Sequence, residues 1–527
     1  MTTYKLQHEM FVSGHSGTSY LEVAMVSSIA CIGCFLRDLF ILSKYKNIIR
    51  PGLFPDLILL VLPNIIGVTI LSNHIGLFIL TLLFLTFIFC SQVFRTGQDD
   101  NLPAARKYVN LSERKQFITN FRSIINLCTA ISILAVDFRV FPRRLAKAET
   151  YGFGGMDVGV GLFVVANAVV SCEARGKGSR LPVWSQCRKA LISSLPLLIL
   201  GCARLLAVKG AGYHEHVTEY GVHWNFFFTL AALKISLTLV YCILPVEYSA
   251  AGAAVTVIGH QILLSAGLSS YIMIGLNGIG GRSGFIDANR EGICSLPGYV
   301  AIYMFGVQLG RSLFKPRHNL KEWLVLSRQL TVTYIAVTVI MTVFHHAVEP
   351  VSRRFVNAAF VFWIMSVSTL MIVECLLAEI TIAFIKSKLQ NSQDQATYCI
   401  PQNSLNKAVQ SIDQPPSEGI HGASRRTTSK TTVSASRKDI QTADNEKESK
   451  INKEHLSDTN VCLLEAISFN SLLFFLLANL FTGAVNMSIS TIYASDAVAV
   501  VILILYMFLL CFVVVSLRKK NICTKVW

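Results

Sequence analysis

The chain has 527 residues, of which 53% are hydrophobic and only 15% charged, with a net charge of +16. A soluble domain carries about a quarter charged residues, so this composition excludes an ordinary soluble enzyme and points to an integral membrane protein. The positive balance would suit a nucleic-acid binder. However, Lys and Arg lie mainly in connectors beside apolar runs, which reads as membrane topology and implies no nucleic-acid partner.

A spanning helix needs ~20 mostly apolar residues. Apolar runs occur near 21–43, 53–72, 75–94, 118–137, 155–173, 190–208, 224–244, 250–273, 297–312, 326–346, 356–386, 462–483 and 494–517. The predicted fold is therefore all-α, a polytopic membrane bundle of about 13 transmembrane helices. The first run carries Arg37 and Asp38 and is followed directly by further runs, so it reads as a retained helix and not a cleaved signal peptide. Residues 1–387 hold the first eleven runs, and residues 461–527 hold the last two with a basic tail. Between them, residues 388–460 include "SEGIHGASRRTTSKTTVSASRKDIQTADNEKESK", rich in Ser, Thr, Lys and Gln and nearly free of aromatics. Such a segment buries too little apolar surface to offset its ordering entropy and is expected to be disordered. The 14 cysteines are scattered, and Cys31 and Cys34 form the one CxxC. That pattern indicates neither a metal site nor a disulfide framework, and the thiols read as small buried hydrophobes.

Charge in the connectors sets the orientation. The set containing Lys44 to Arg50, Arg95 to Lys115, Arg175 to Lys189, Arg311 to Lys321 and the C-terminal basic tail holds about twice as many cations as the opposite set. The first set is expected to be cytosolic, which places the N-terminus on the lumenal or extracellular side and the C-terminus in the cytosol.

Three polar stretches fall on the side where cations are disfavoured. The first, "AVDFRVFPRRLAKAETYGFGG", gathers Asp137, Arg139, Arg143, Arg144 and Lys147. Pro142 breaks any continuous helix and is suited to begin a new one, on which Arg143 and Arg144 would share a face with Lys147. Like charges so spaced repel, and a bound anion would reverse the sign. Asp137 reads either as a loop anchor paired to Arg143 or Arg144, or as a general base. The second stretch, "GYHEHVTEYGVHWNFFFT", holds His214, His216, Glu219, His223, Trp224 and Asn225. Its spacing is not a zinc signature, so interfacial binding or a His-assisted reaction fits it better. The third, "NGIGGRSGFIDANREGICSLPGY", offers Gly278, Gly280, Gly281 and Gly284 for close backbone approach, with Asn289, Arg290 and Glu291 either as polyol or phosphate partners or simply as a helix cap. It matches neither a Walker motif nor GxGxxG, and the chain lacks both GxSxG and the His-x4-Asp box of many soluble acyltransferases.

These stretches, as "LAVDFRVFPRRLAKAETYGFGGMDVGVG", "EHVTEYGVHWNFFFT" and "DANREGICSLPGYVAIYMFGVQLG", together with the N-terminal "FVSGHSGTSYLEV", closely resemble the PIG-W/Gwt family. The resemblance covers nearly the whole chain apart from residues 388–460. It implies thirteen spans, a lumenal N-terminus and residence in the endoplasmic reticulum membrane. It also implies transfer of a fatty acyl group, usually palmitoyl from palmitoyl-CoA, to the inositol 2-hydroxyl of glucosaminyl-phosphatidylinositol during glycosylphosphatidylinositol (GPI) anchor synthesis. On this analogy Asp137 and Lys147 are the catalytic candidates, and the partners are acyl-CoA, the glycolipid and membrane lipid, with no tightly bound cofactor. Leu145 and Ala148 replace the Phe and Thr often found after the double Arg and the Lys, so neither of those positions can be essential here. Arg143, Arg144, Arg282 and Arg290 are sensible partners for anionic substrates. A transporter is the alternative, since Arg37, Asp38, Lys234 and Glu374 lie within apolar runs, but no paired repeat supports it. A lipid-binding scaffold without turnover is a further rival.

Overall fold

The computed structural model describes residues 3–43, 52–96, 115–177, 182–210, 217–398 and 461–524. In lipid, backbone polar groups must be satisfied within the segment, and the apolar runs accordingly form helices. These are α1 (Thr3–Val12), α2 (Tyr20–Leu42), α3 (Leu53–Val68), α4 (Ile75–Thr96), α5 (Gln116–Ala135), α6 (Asp157–Val169), α7 (Val183–Gly210) and α8 (Val217–Tyr220). They continue with α9 (Phe226–Ile243), α10 (Val246–Ile274), α11 (Arg290–Phe314), α12 (Leu320–Ala347) and α13 (Ala358–Tyr398). Last come α14 (Leu463–Phe469), α15 (Ser471–Ser488) and α16 (Asp496–Lys519).

Among the described residues, eleven helices are long and apolar enough to cross a membrane, not the thirteen expected. The runs at 53–72 and 155–173 form the two shorter apolar helices α3 and α6. A π-turn at Leu57–Val61 interrupts α3. α6 starts only at Asp157, because residues 146–156 are held as a loop. α13 continues helically to Tyr398, past the expected start of the polar segment at 388, whose remainder (399–460) lies outside the described residues.

Burial sorts the helices. The apolar window of α13 is 78% buried and that of α5 67%, whereas those of α4 and α15 are 17% buried. α13, α5, α11 and α2 therefore form the centre, and α4, α7, α12 and α15 present apolar faces outward to lipid. Small residues allow close approach in the centre. A methyl group on Gly306 of α11 would meet Ala168 of α6 at 2.7 Å, and one on Gly310 would meet the Val169 carbonyl at 2.4 Å.

The four charges noted within the apolar runs have protein partners. Arg37 pairs with Asp38 and Asp56, both at 2.8 Å, and Asp56 also accepts the Leu463 amide at the start of α14. Lys234 donates to the Ser193 carbonyl, and Glu374 accepts the Ser28 hydroxyl. This explains four intramembrane charges by helix docking, without a transport path. Cys31 of the CxxC lies 3.8 Å from Cys375 of α13, and both thiols are free and buried.

Candidate active site

All three polar stretches emerge at one end of the bundle, where they meet α1 and the α12–α13 connector. Gly152 donates its amide to the Val351 carbonyl, Ser352 donates to the Thr150 carbonyl, and Thr18 donates to the Phe153 carbonyl. Gly152 has φ 131°, and a Cβ there would sit 1.8 Å from the Ser16 carbonyl oxygen, so this approach requires glycine.

Asp137 follows directly on α5 and is only 3% exposed. Its Oδ2 accepts a 2.7 Å hydrogen bond from Asn486 of α15, and its Oδ1 lies 3.4 Å from His8 Nε2 of α1. The expected anchor pairing to Arg143 or Arg144 is absent. Arg143 instead donates to the carbonyls of Phe138 and Phe141 and stacks 4.0 Å from the Phe11 ring centre. Burial pulls its pKa down to about 10, with Asp137 acting in the opposite direction, so the group stays charged at neutral pH. Arg144 donates to Glu22 at 2.9 Å and to the Ser72 carbonyl at 3.1 Å.

The short helix expected after Pro142 does not form. Pro142 is followed by one 3-10 turn, Arg143–Leu145, and Ala146 is already extended. Leu145 and Ala146 are 1% and 0% exposed. Sinking these two side chains into the core draws the backbone out of helical geometry, so Lys147 shares no helical face with the arginines.

Lys147 belongs to a second cluster. It forms an ion pair with Glu219 on α8. The same Glu219 oxygen lies 3.6 Å from Arg353, whose Nε is 2.9 Å from Asp157 Oδ1. Asp157 Oδ2 accepts the Ala148 amide at 2.8 Å, closing the circuit beside Lys147. Burial opposes the charge on Arg353, and Glu219 and Asp157 more than offset it, so its pKa is raised. Tyr220, 5.5 Å from the Arg353 guanidinium, is pushed up to about 12, chiefly by burial and against the pull of Arg353. Lys147 is the least enclosed cation of this cluster, with 38% of its side chain exposed. It makes no ion pair with Asp137, since each is held by its own set.

The third stretch is largely self-contained. Arg282 binds Glu291 through both oxygens at 2.9 and 2.6 Å, and Arg354 reaches the same carboxylate at 3.0 Å. Arg290 is 1% exposed and donates to the carbonyls of Ile272 and Gly281 and to Asp287. Asn289 accepts the His223 amide and donates to the Phe285 carbonyl. Asn225 caps α9 through the Phe227 and Phe228 amides and also donates to the Gly201 carbonyl. Trp224 donates to Thr229 and packs against Gly292. His214 and His216 lie outside the described residues.

The structure thus brings Glu219 to Lys147 and holds Arg282, Asn289, Arg290, Trp224 and Asn225 in a scaffold behind them. Sequence reasoning missed Asp157, Arg353 and Arg354, and also missed His8 and Asn486 as partners of Asp137. The adjacent pair Arg353 and Arg354 on the cation-poor side was the available signal. Nothing in the sequence ties His8 or Asn486 to Asp137.

Residues 4–517 match the GWT1 family profile. The chain is 34% identical to the glucosaminyl-phosphatidylinositol-acyltransferase PIGW of Bos taurus, over 99% of each chain. It is 33% identical to the Homo sapiens protein of the same name, over 99% of each, and 32% identical to the GPI-anchored wall transfer protein 1 of Aspergillus fumigatus, over 98% of each. With a match spanning nearly the full length and every quoted motif lying inside it, the chain belongs to the GWT1 family.

Proposed function

We propose that this protein is a multi-pass acyltransferase of GPI-anchor synthesis in the endoplasmic reticulum membrane. It moves a fatty acyl group, palmitoyl in the first instance, from acyl-CoA to the inositol 2-hydroxyl of glucosaminyl-phosphatidylinositol. The relatives it matches end to end carry the name of that acyltransferase and not of a carrier. The observation that carries the chemistry is a buried carboxylate, Asp137, fixed by Asn486 and His8 in the same loop as the partly exposed ammonium of Lys147.

In this reading Asp137 accepts the proton of the inositol hydroxyl as its oxygen attacks the thioester carbonyl. Negative charge builds on the carbonyl oxygen, where Lys147 donates; one of its three N–H groups is engaged by Glu219 and the others remain for substrate. The C–S bond then breaks, the ester C–O bond remains, and the proton held by Asp137 goes to the departing CoA sulfur. The loop side faces the lumen, as the connector charges imply.

Purified protein given labelled palmitoyl-CoA and glucosaminyl-phosphatidylinositol should yield palmitoyl-inositol product and free CoA. Flux of the glycolipid across vesicles without any acylated product would overturn the assignment. For the orientation, a single Cys at Arg139 in a Cys-free background should resist an impermeant thiol reagent in sealed microsomes until detergent is added. Labelling before detergent would reverse the topology.

A further inference from the structure

We infer that Arg122 and Arg175 form the phosphate-binding end of the acyl-donor site, at the opposite end of α5 and α6 from Asp137. This rests on the acyl-CoA reading above. Three arginines elsewhere in the protein sit on carboxylates: Arg37 on Asp56, Arg290 on Asp287, Arg353 on Asp157. Arg122 on α5 does not. Its Nε is enclosed and has no hydrogen-bond partner, and among the described residues it forms no ion pair. Arg175 lies in the turn after α6, exposed, with Nε directed to the Ser171 carbonyl. An enclosed guanidinium nitrogen without a partner, with a second arginine at the same end of the α5–α6 pair, is unfavourable until an anion joins them.

One turn along α5, on the same face, Asn126 is 8% exposed. Its Nδ2 donates to the Arg122 carbonyl, and its Oδ1 is buried without a partner, an acceptor awaiting an N–H. Thr129 continues this face, and Arg122, Thr129, Ile133 and Val136 along it are only partly buried. The face therefore presents, in order, a cation pair, an amide acceptor and then the Asp137 carboxylate. A CoA ester presents phosphates, pantetheine amides and then the thioester in the same order. From Arg122 to Asp137 is fifteen residues, or about 22 Å at the helical rise of 1.5 Å per residue, a reach suited to an extended pantetheine arm. The phosphate of the glycolipid acceptor adjoins its own inositol ring and cannot span that distance. Arg122 also lies at the end whose connectors carry the excess of Lys and Arg.

The test compares two donors on the purified full-length protein in nanodiscs, palmitoyl-CoA and the phosphate-free palmitoyl-pantetheine. Arg122→Gln should raise KM for palmitoyl-CoA by roughly tenfold or more, as expected for losing a charge-assisted contact, with kcat close to wild type. It should leave KM for palmitoyl-pantetheine unchanged. Arg175→Gln, on an exposed side chain, should show the same donor-selective pattern more weakly, and decides the matter if Arg122→Gln does not fold. Equal effects on both donors, or no effect on either, would overturn the site. Loss of a tightly bound anionic phospholipid in native mass spectrometry, with donor KM unchanged, would assign the arginines to a lipid headgroup and overturn it too. Wild-type protein that uses neither donor would refute the acyl-CoA reading itself, which is scored without any variant.

Discussion

Arg353→Met removes the cation that joins two carboxylates behind Lys147. The Arg353 side chain is 6% exposed and Asp157 is fully enclosed, so water cannot replace the lost partner. The Ala148 amide still serves Asp157 Oδ2, but Oδ1 loses the cation paired to it, and Glu219 keeps Lys147. Removing one partner of a buried pair destabilises by about 3–5 kcal/mol, a large share of the 5–15 kcal/mol that holds a typical protein together. The single variant should melt far below wild type, or fail to yield monodisperse protein, when followed by fluorescence-detected size exclusion across a temperature series. Adding Asp157→Asn should recover part of the loss, because the amide oxygen still accepts from Ala148 while the uncompensated charge is gone. Recovery in the double variant isolates electrostatics from packing. An Arg353→Met protein that melts with wild type, or a double variant no better than the single, would refute the view that this ion pair organises the loop.

Asp137→Asn should fold, since Asn486 can still bond its oxygen, yet lose acyl transfer by roughly 10²–10⁴-fold; near-normal turnover would leave Asp137 as a loop anchor only. Lys147→Ala should lower kcat by about 10²–10³-fold with little change in donor binding. Lys147→Arg is the sharper variant, because a planar fork does not reproduce a compact ammonium, and full activity there would show that any cation suffices. Gly152→Ala should cost more than about 1 kcal/mol by forcing a Cβ into the Ser16 carbonyl at a φ that alanine rarely adopts, and an unchanged melting temperature would contradict the close approach of the two loops.

The positions of the helices and the membrane class were legible in the sequence, because long apolar runs have one way to satisfy their backbone in lipid. Asp137 and Lys147 stood out as candidates through the resemblance, and the polar loops through ionisable groups gathered beside cation-poor connectors. The partners were not legible. The expectation of a helix after Pro142 followed local rules, and it failed because Leu145 and Ala146 are claimed by the core and Arg143 by the carbonyls of Phe138 and Phe141. Asp157 opens what reads as one apolar run among many, and its meaning depends on Arg353, three helical hairpins further along the chain. His8 and Asn486 come from opposite ends of the sequence to reach one carboxylate. Hydrophobicity is a property of each segment by itself and so determines where the helices lie, whereas ion pairs and hydrogen bonds join segments remote in sequence, and only their packing into a bundle decided which charges anchor the loops and which are left for a substrate.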